Sequence, residues 1–409
     1  MNKPGTVPSM LRRELLKGSG AALLTLGLSG RLYAAPAGGP RLLVVFLRGG
    51  YDSCNVLVPY SSSFYYEMRP NIAIAAPEAN SATGAMALNA DWALHPALRD
   101  SIGYLYGQRQ VAFVPFAGTD DLSRSHFETQ DSIEMGLPSN APHNYQSGFL
   151  GRLSATLVGA SVNAPPIAFT DALPLSFEGA KTVPNLSLKR AGKAPFDERQ
   201  TRLLNDMYSG HHLQTAVDSG LELRQVIAQE IATEMQEASR AAINTKGFEL
   251  EAERMGRLMR DKYRIGFIDV GGWDMHVGEG GAQGQLATNL AGLGRGLQVF
   301  SQSLDSEWQN TVVVVLSEFG RTFRENGNRG TDHGHGTVYW ILGGAINGGV
   351  IAGRQQAVNR QTLFQDRDFP VLNDYRAVLG GLFRSLWGLS PQRSGVIFPQ
   401  VGPVNIGLI

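Results

Sequence analysis

The chain has 409 residues, 43% of them hydrophobic and 18% charged, and its 36 basic residues equal its 36 acidic residues in number. This composition predicts a soluble globular protein with a substantial core, as two or three domains or as one large α/β domain with an insertion. A single cysteine, Cys54, excludes an intrachain disulfide bond.

The first predicted segment is an export signal at residues 1–35. "RRELLKG" at 12–18 puts two arginines before the short apolar run "AALLTLGL", and small residues follow. This order is typical of a twin-arginine signal, and the apolar run is too short for a permanent membrane span. The alternative is a basic amphipathic N-terminus. Loss of residues 1–35 removes five basic and one acidic residue, which leaves a net charge of −4. We therefore predict a periplasmic or otherwise exported protein without a nucleic-acid partner.

Four apolar runs in the remaining chain are typical of buried strands, and each ends in glycine or polar residues. They are "RLLVVFLRGG" at 41–50, "QVAFVPFAG" at 110–118, "RIGFIDVGG" at 264–272 and "NTVVVVLSEFG" at 310–320. Helical patterns separate several of them, including "LATNLAGLGRGLQVFSQSL", and "DYRAVLGGLFRSLWGL" predicts a last helix. This alternation predicts an α/β fold with a mainly parallel sheet covered on both faces.

A different pattern separates the second and third runs. Residues 160–195 have several prolines and no strand–helix alternation, and the chain then turns polar and helical as far as Lys262, most strongly in "LELRQVIAQEIATEMQEASRAA". We predict one α/β domain at 36–409, with a peripheral lobe and a helical insert at about 160–262.

The residues that directly follow the four predicted strands are unusually polar. Ligands bind beyond the carboxyl ends of parallel strands, so these positions are the candidates for function. They are Asp52 after the first run, Ser123, Arg124, Ser125 and His126 after the second, Asp274 and His276 after the third, and Glu318, Arg321, Asp332, His333 and His335 after the fourth.

Carboxylates and imidazoles that meet at one sheet edge suit zinc or manganese. An Asp-x-His pair alone is also consistent with a hydrogen-bonded turn, and Glu318 could simply pair with Arg321 or Arg324. Four of the eight histidines fall at predicted strand ends, however, and this co-location favours a divalent metal site.

The segment "LSRSHFETQD" offers a nucleophile. A serine at a helix start most often caps the helix, but the same position also favours a bound anion. Ser123 or Ser125, with Ser123 preferred, would then attack an ester, and Arg124 would hold its anionic group.

Together these motifs resemble the bacterial family called domain of unknown function 1501. The likeness is carried by "FLRGGYDSCNVLVPY", "SRSHFETQDSIEMG", "GGWDMH", "LSEFGRTFRENGNRGTDHGHG" and "DYRAVLGGLF". The family is related to the alkaline-phosphatase-like superfamily, so the resemblance implies a three-layer α/β sandwich with a two-cation site.

By position, the resemblance implies a ligand set and a nucleophile segment, "SRSH". The implied ligands are Asp52, Asp274, His276, Glu318, His333 and His335, with Asp332 as a ligand or as the group that orients an imidazole. The short Asp274–His276 spacing and the Phe319 after Glu318 depart from the superfamily pattern at the second cation. Two functions remain open: an exported metal-dependent hydrolase of a small-molecule or glycan phosphate or sulfate ester, and a non-catalytic envelope binding protein.

Overall fold

A computed structural model describes residues 39–186 and 247–409, and between them residues 203, 206–211, 214 and 217. Residues 39–409 form one compact unit. The predicted signal at 1–35 and the strongest segment of the predicted helical insert, 221–242, lie outside the described residues. No helix within the described ranges is long and apolar enough to cross a membrane.

The described residues contain eleven strands. They are β1 (Arg41–Leu47), β2 (Leu57–Val58), β3 (Met86–Ala87), β4 (Ala93–Leu94), β5 (Val111–Gly118), β6 (Pro166–Ala168), β7 (Ile265–Val270), β8 (Thr311–Leu316), β9 (Thr337–Leu342), β10 (Val350–Ile351) and β11 (Asn373–Asp374). The central sheet has the order β10, β5, β9, β8, β1, β7, β6, and β11 also pairs with β5. The short strands β2, β4 and β3 form a separate sheet.

The central sheet is parallel except at β9. Strand β1 pairs in parallel with β7 and β8, whereas β9 is antiparallel to both β5 and β8. The four predicted strands are β1, β5, β7 and β8, and they share one direction. Their carboxyl ends and the amino end of β9 therefore lie at the same edge of the sheet.

Helices cover both faces of the sheet, which confirms the predicted three-layer α/β class. The helices are α1 (Ser53–Val56), α2 (Ser63–Met68), α3 (Tyr104–Gly107), α4 (His126–Met135), α5 (Phe149–Gly159), α6 (Phe248–Asp261), α7 (Gln285–Ser303), α8 (Tyr375–Trp387) and α9 (Pro391–Ile397). Alternate residues of β1 point to opposite sides, as expected for a strand. Leu43 and Val45 pack in the core that includes α6 and α7, and Leu42 and Val44 pack in the core that includes α5, α8 and α9.

A glycine allows the loop after β1 to reach the loop after β7. Gly49 has φ +122°, and a Cβ at this position would lie 2.7 Å from the backbone nitrogen of Asp274. Its own N–H donates to Glu318 Oε1 at 2.8 Å. Only glycine combines this conformation with such close approach. Gly49 therefore brings three strand-end loops together.

Away from the sheet edge formed by these strand ends, His95 is the clearest example of a residue that makes stability depend on pH. It is fully buried, its Nδ1 accepts from the backbone of Ala97, and its Nε2 faces the carbonyl oxygen of Gly281 at 3.1 Å. Burial lowers the pKa of His95 to about 4. The unfolded chain takes up a proton near pH 6.5 whereas the folded chain does not, so stability falls as pH decreases from about 6.5 towards 4.

We expect His95→Gln to reduce this acid sensitivity, because glutamine keeps a donor for Gly281 and does not titrate. Between pH 7 and pH 5 the free energy of unfolding of the metal-free wild type should fall by about 2 kcal/mol more than that of the variant. Urea denaturation at the two pH values measures this, with the exposed His143→Gln as control. Equal pH dependence of wild type and His95→Gln would contradict the assignment.

Candidate metal centre

Three histidines from three loops converge at the shared edge of the sheet. His126 is the first residue of α4, His276 follows β7, and His333 precedes β9. The Nε2 atom of His333 lies 2.9 Å from that of His126 and 3.1 Å from that of His276. The carboxylate of Asp274 lies 2.9 Å from His276, 3.3 Å from His333 and 3.5 Å from His126, each measured to Nε2.

Each of the three imidazoles is oriented by an oxygen atom at its other nitrogen. Glu318 lies 2.7 Å from Nδ1 of His126, and Asp332 lies 3.1 Å from Nδ1 of His276. The carbonyl oxygen of Arg124 lies 3.1 Å from Nδ1 of His333. A carbonyl or an ionised carboxylate can only accept, so Nδ1 carries the proton in each ring.

Both orienting carboxylates are held in the ionised form. Burial alone would raise the pKa of Glu318, but hydrogen bonds from His126, Gln130 and Ser317 lower this pKa below its usual value. For Asp332, burial is likewise outweighed by hydrogen bonds from Asn326 and His276, so its pKa is also lowered. The two carboxylates therefore serve as acceptors at neutral pH.

The proton on Nδ1 leaves an unshared electron pair on Nε2 of each neutral imidazole. Burial and the charge of Arg321 lower the pKa of His333, so the neutral form of this imidazole is favoured. Three nitrogen lone pairs and the carboxylate of Asp274 thus face one another. Such an arrangement is repulsive unless a cation lies between them.

The donor set fits zinc. Zinc bonds of about 2.0–2.1 Å in a tetrahedron require ligand atoms about 3.3 Å apart, and the distances from His333 Nε2 and from the Asp274 carboxylate to the other ligand atoms are 2.9–3.5 Å. Imidazole nitrogen suits zinc better than the oxygen-preferring manganese. Of the described residues, His126, Asp274 and His333 lie close enough together to share an ion, and His276 adjoins this group through its contacts with Asp274 and His333.

The centre is open to solvent on one side. The side chains of Asp274 and His276 are 46% and 41% exposed, whereas that of Glu318 is fully buried. Burial alone would raise the pKa of Asp274, but its hydrogen bond to Arg321 and the charge of Arg321 lower it. An ionised carboxylate is therefore presented to an accessible site, which a substrate could reach.

Most of the sequence-predicted metal residues lie in this cluster, with different contacts. Asp274, His276 and His333 face the centre, and Glu318 and Asp332 contact the imidazoles that do so. The two other predicted ligands make contacts elsewhere.

Asp52 is buried and forms an ion pair with Arg69. His335 is buried with its ring centroid 5.0 Å from that of Phe364, and burial followed by the charge of Arg124 lowers its pKa to about 4.

The predicted nucleophile segment borders the centre. The hydroxyl of Ser123 lies 3.4 Å from that of Thr129 and accepts from the backbone of Ser125. Ser125 precedes α4, but its side chain makes no capping hydrogen bond. The guanidinium of Arg124 donates to Asp368 at 2.7 Å, while its carbonyl oxygen orients His333.

Sequence reasoning left one central residue out of the ligand set. His126 is one of the four histidines at predicted strand ends, but within its segment only the serines and Arg124 were given a predicted function. Its position as first residue of a helix after β5 was the available signal. The buried acid Glu279, whose Oε2 accepts from Thr331 at 2.8 Å, carried no comparable signal in the sequence.

The fold and the site define an α/β protein with a candidate histidine–carboxylate metal centre at the carboxyl edge of a mainly parallel sheet. The chain belongs to the family described as "Protein of unknown function (DUF1501)", whose model matches residues 40–397. This confirms the family resemblance. No curated protein matches the sequence.

Several solved structures are similar over most of the chain. The lipoteichoic acid synthase LtaP from Listeria monocytogenes has 11% identity and a TM-score of 0.38, with 93% of this chain and 80% of that chain covered. A protein in the alkaline phosphatase superfamily from Vibrio parahaemolyticus has 12% identity and a TM-score of 0.32, with coverage of 83% and 70%. A 2-O GAG sulfatase, BT1596, has 11% identity and a TM-score of 0.34, with coverage of 86% and 71%.

Proposed function

We propose that this protein is an exported, metal-dependent hydrolase of phosphate or sulfate esters. The observation that carries the proposal is the clustering of His126, His276 and His333 around the ionised carboxylate of Asp274 at a solvent-accessible edge of the sheet. Each Nδ1 of these imidazoles faces an oxygen acceptor. The export part of the proposal rests on the sequence of residues 1–35.

His126, His276, His333 and Asp274 would hold the metal, with zinc preferred. When bound, a divalent cation acts as a Lewis acid towards an ester oxygen and lowers the pKa of a nearby hydroxyl. Glu318 and Asp332 keep their imidazoles in the metal-binding tautomer, as oriented carboxylates do in metal sites generally.

Ser125 is the nucleophile in this proposal. Its side chain is not used for capping, and its neighbour His126 faces the centre. The hydroxyl of Ser123, by contrast, takes part in contacts with Thr129 and Ser125. Attack by the Ser125 hydroxyl on the phosphorus or sulfur atom would break the bond to the substrate's alcohol, which leaves as the free alcohol with the proton that the serine loses. Water would then hydrolyse the resulting serine phosphate or sulfate, release phosphate or sulfate and restore the hydroxyl.

Arg124 would contribute mainly through the position of its backbone, and its guanidinium would not contact the substrate directly. Its guanidinium is anchored on the buried Asp368 and on Gln365, so holding a substrate anion would require it to give up these bonds. Its carbonyl oxygen orients His333. Arg124 also has φ +53°, a conformation that costs energy for a side chain with a Cβ. Arg124 thereby fixes the segment that carries Ser125 against the metal centre.

A polar cleft beside the centre supports a hydrophilic substrate. Its volume of about 440 Å³ lies within the usual range for ligand sites. Two of its lining residues connect it to the metal centre: Asp332 orients His276, and Arg367 donates to the carbonyl oxygen of His333. The remaining lining residues are polar as well: Thr322, Arg324, Glu325, Asn326, Gln365 and Asp366. A small-molecule or glycan ester with many hydroxyl groups would satisfy these donors and acceptors.

Ser125→Ala should reduce ester hydrolysis by about 100-fold or more while leaving the metal content unchanged, because the hydroxyl attacks but does not hold the metal. The matched control is Ser123→Ala, which should keep activity within a few fold. Zinc-loaded proteins would be assayed against a panel of phosphate and sulfate monoesters, including sugar esters and aryl esters. A metal-loaded wild type that turns over no ester on the panel would reject the hydrolase proposal and favour an envelope binding protein.

A further inference from the structure

One buried cation stands directly beside the candidate metal centre. The side chain of Arg321 has no exposure to solvent, and it donates to Asp274 Oδ1 at 2.5 Å. Its Nη1 lies 3.4 Å from Nε2 of His276. The guanidinium also donates to four carbonyl oxygens, those of Gly49, Gly50, Trp273 and Thr331.

Arg321 and the imidazoles share the same carboxylate. Oδ1 of Asp274 contacts Arg321 on one side and lies 2.9 Å and 3.3 Å from Nε2 of His276 and His333 on the other. In two-metal sites, cations about 3.5–4 Å apart commonly share such a group. In this protein the guanidinium of Arg321 contacts the carboxylate of Asp274, as a second metal ion could in a two-metal site.

Three acids near the centre that the sequence offered as metal ligands or orienting groups are engaged with other partners. Asp52 pairs with Arg69, Glu318 accepts from His126 and Gln130, and Asp332 accepts from Asn326. Among the described residues, the side chains that lie close enough together to share an ion are His126, Asp274 and His333.

We propose that the centre takes a single divalent cation, and that the guanidinium of Arg321 supplies a second, permanent positive charge in the position of a second metal. This inference rests on the metal centre of the proposed function and adds its stoichiometry. An arginine side chain stays protonated in proteins and needs no supply of metal. Asp274 is therefore held in place and ionised before any metal binds.

The first test measures metal stoichiometry. The full chain, stripped with a chelator, would be titrated with Zn²⁺ and separately with Co²⁺, and the bound metal determined by elemental analysis. One equivalent per chain, and a Co²⁺ electron paramagnetic resonance spectrum of an isolated ion, would support the proposal. Two equivalents with spin coupling would overturn it while leaving the metal centre intact. No uptake of either metal would overturn both.

The second test removes the guanidinium. In Arg321→Ala, the four carbonyl oxygens and Asp274 would line the space left behind, and calcium prefers such oxygen ligands. Added Ca²⁺ should raise the unfolding midpoint of the zinc-loaded variant by several degrees. Wild type and Arg321→Lys, which keep the positive charge, should not respond. If Arg321 merely tethers the loops, Arg321→Ala would be destabilised without calcium rescue, and this result would also overturn the proposal.

Discussion

Replacing His333 with alanine is expected to weaken zinc binding by about 1,000-fold or more. His333 is the central imidazole, since its Nε2 lies 2.9 Å and 3.1 Å from those of His126 and His276. Loss of a residue that merely orients a ligand costs about 10–100-fold in metal affinity, and loss of the ligand itself should exceed this. The dissociation constant would be measured by competition with a chromophoric chelator.

The matched control for this experiment is His143→Ala. His143 is exposed and contacts Tyr145 rather than the centre, so its removal should leave the affinity unchanged. Retention of zinc by His333→Ala within about tenfold of wild type would show that the three imidazoles do not bind a common ion. Circular dichroism of both variants distinguishes a lost ligand from a lost fold.

The main strands could be predicted because each is an apolar run buried on both faces. Strands β1, β5, β7 and β8 all match such runs. Strand β9, "TVYWIL", was not predicted, although it is an equally apolar run. Its antiparallel direction also has a sequence signal. Residues 317–336 between β8 and β9 are glycine-rich and without a helical pattern, and a parallel crossover usually contains a helix.

The sheet edge could be predicted, but the contacts of each side chain could not. Asp274, His276 and His333 follow or precede strands at that edge, so their meeting follows from the parallel topology. Whether Glu318 contacts a metal or an imidazole depends on small differences in the positions of the loops. Such differences come from loop packing, for example the close approach that Gly49 permits.

Asp52 shows what positional reasoning leaves open. Its place after β1 predicts a metal ligand, and the structure adds an ion pair with Arg69. Arg69 follows the short helix α2, in a segment that lacks a strand signal. An ion pair between these two positions depends on tertiary packing, and a single sequence does not reveal it.

Arg69→Met is expected to destabilise the fold by about 3–5 kcal/mol, since it would leave a buried carboxylate without its cation. Arg69 is fully buried, and it donates to both oxygens of Asp52 and to the carbonyl oxygens of Phe323 and Thr322. Burial opposes its charge, but Asp52 raises the pKa of Arg69 above its usual value. Urea denaturation measures the loss. The control Arg260→Met, at an ion pair with Asp261 in which both side chains are exposed, should cost less than about 1 kcal/mol.

The double variant Asp52→Asn/Arg69→Met decides what Asp52 does. Removal of both charges should recover part of the stability that Arg69→Met loses, because no unpaired buried charge remains. If Asp52 serves only in the ion pair, zinc affinity of the double variant should stay within about threefold of wild type. If Asp52 also binds metal, as its position after β1 predicts, the affinity should fall by more than about 100-fold. Because Asp52 hydrogen-bonds to Arg69 and to no imidazole of the described cluster, we expect the first result.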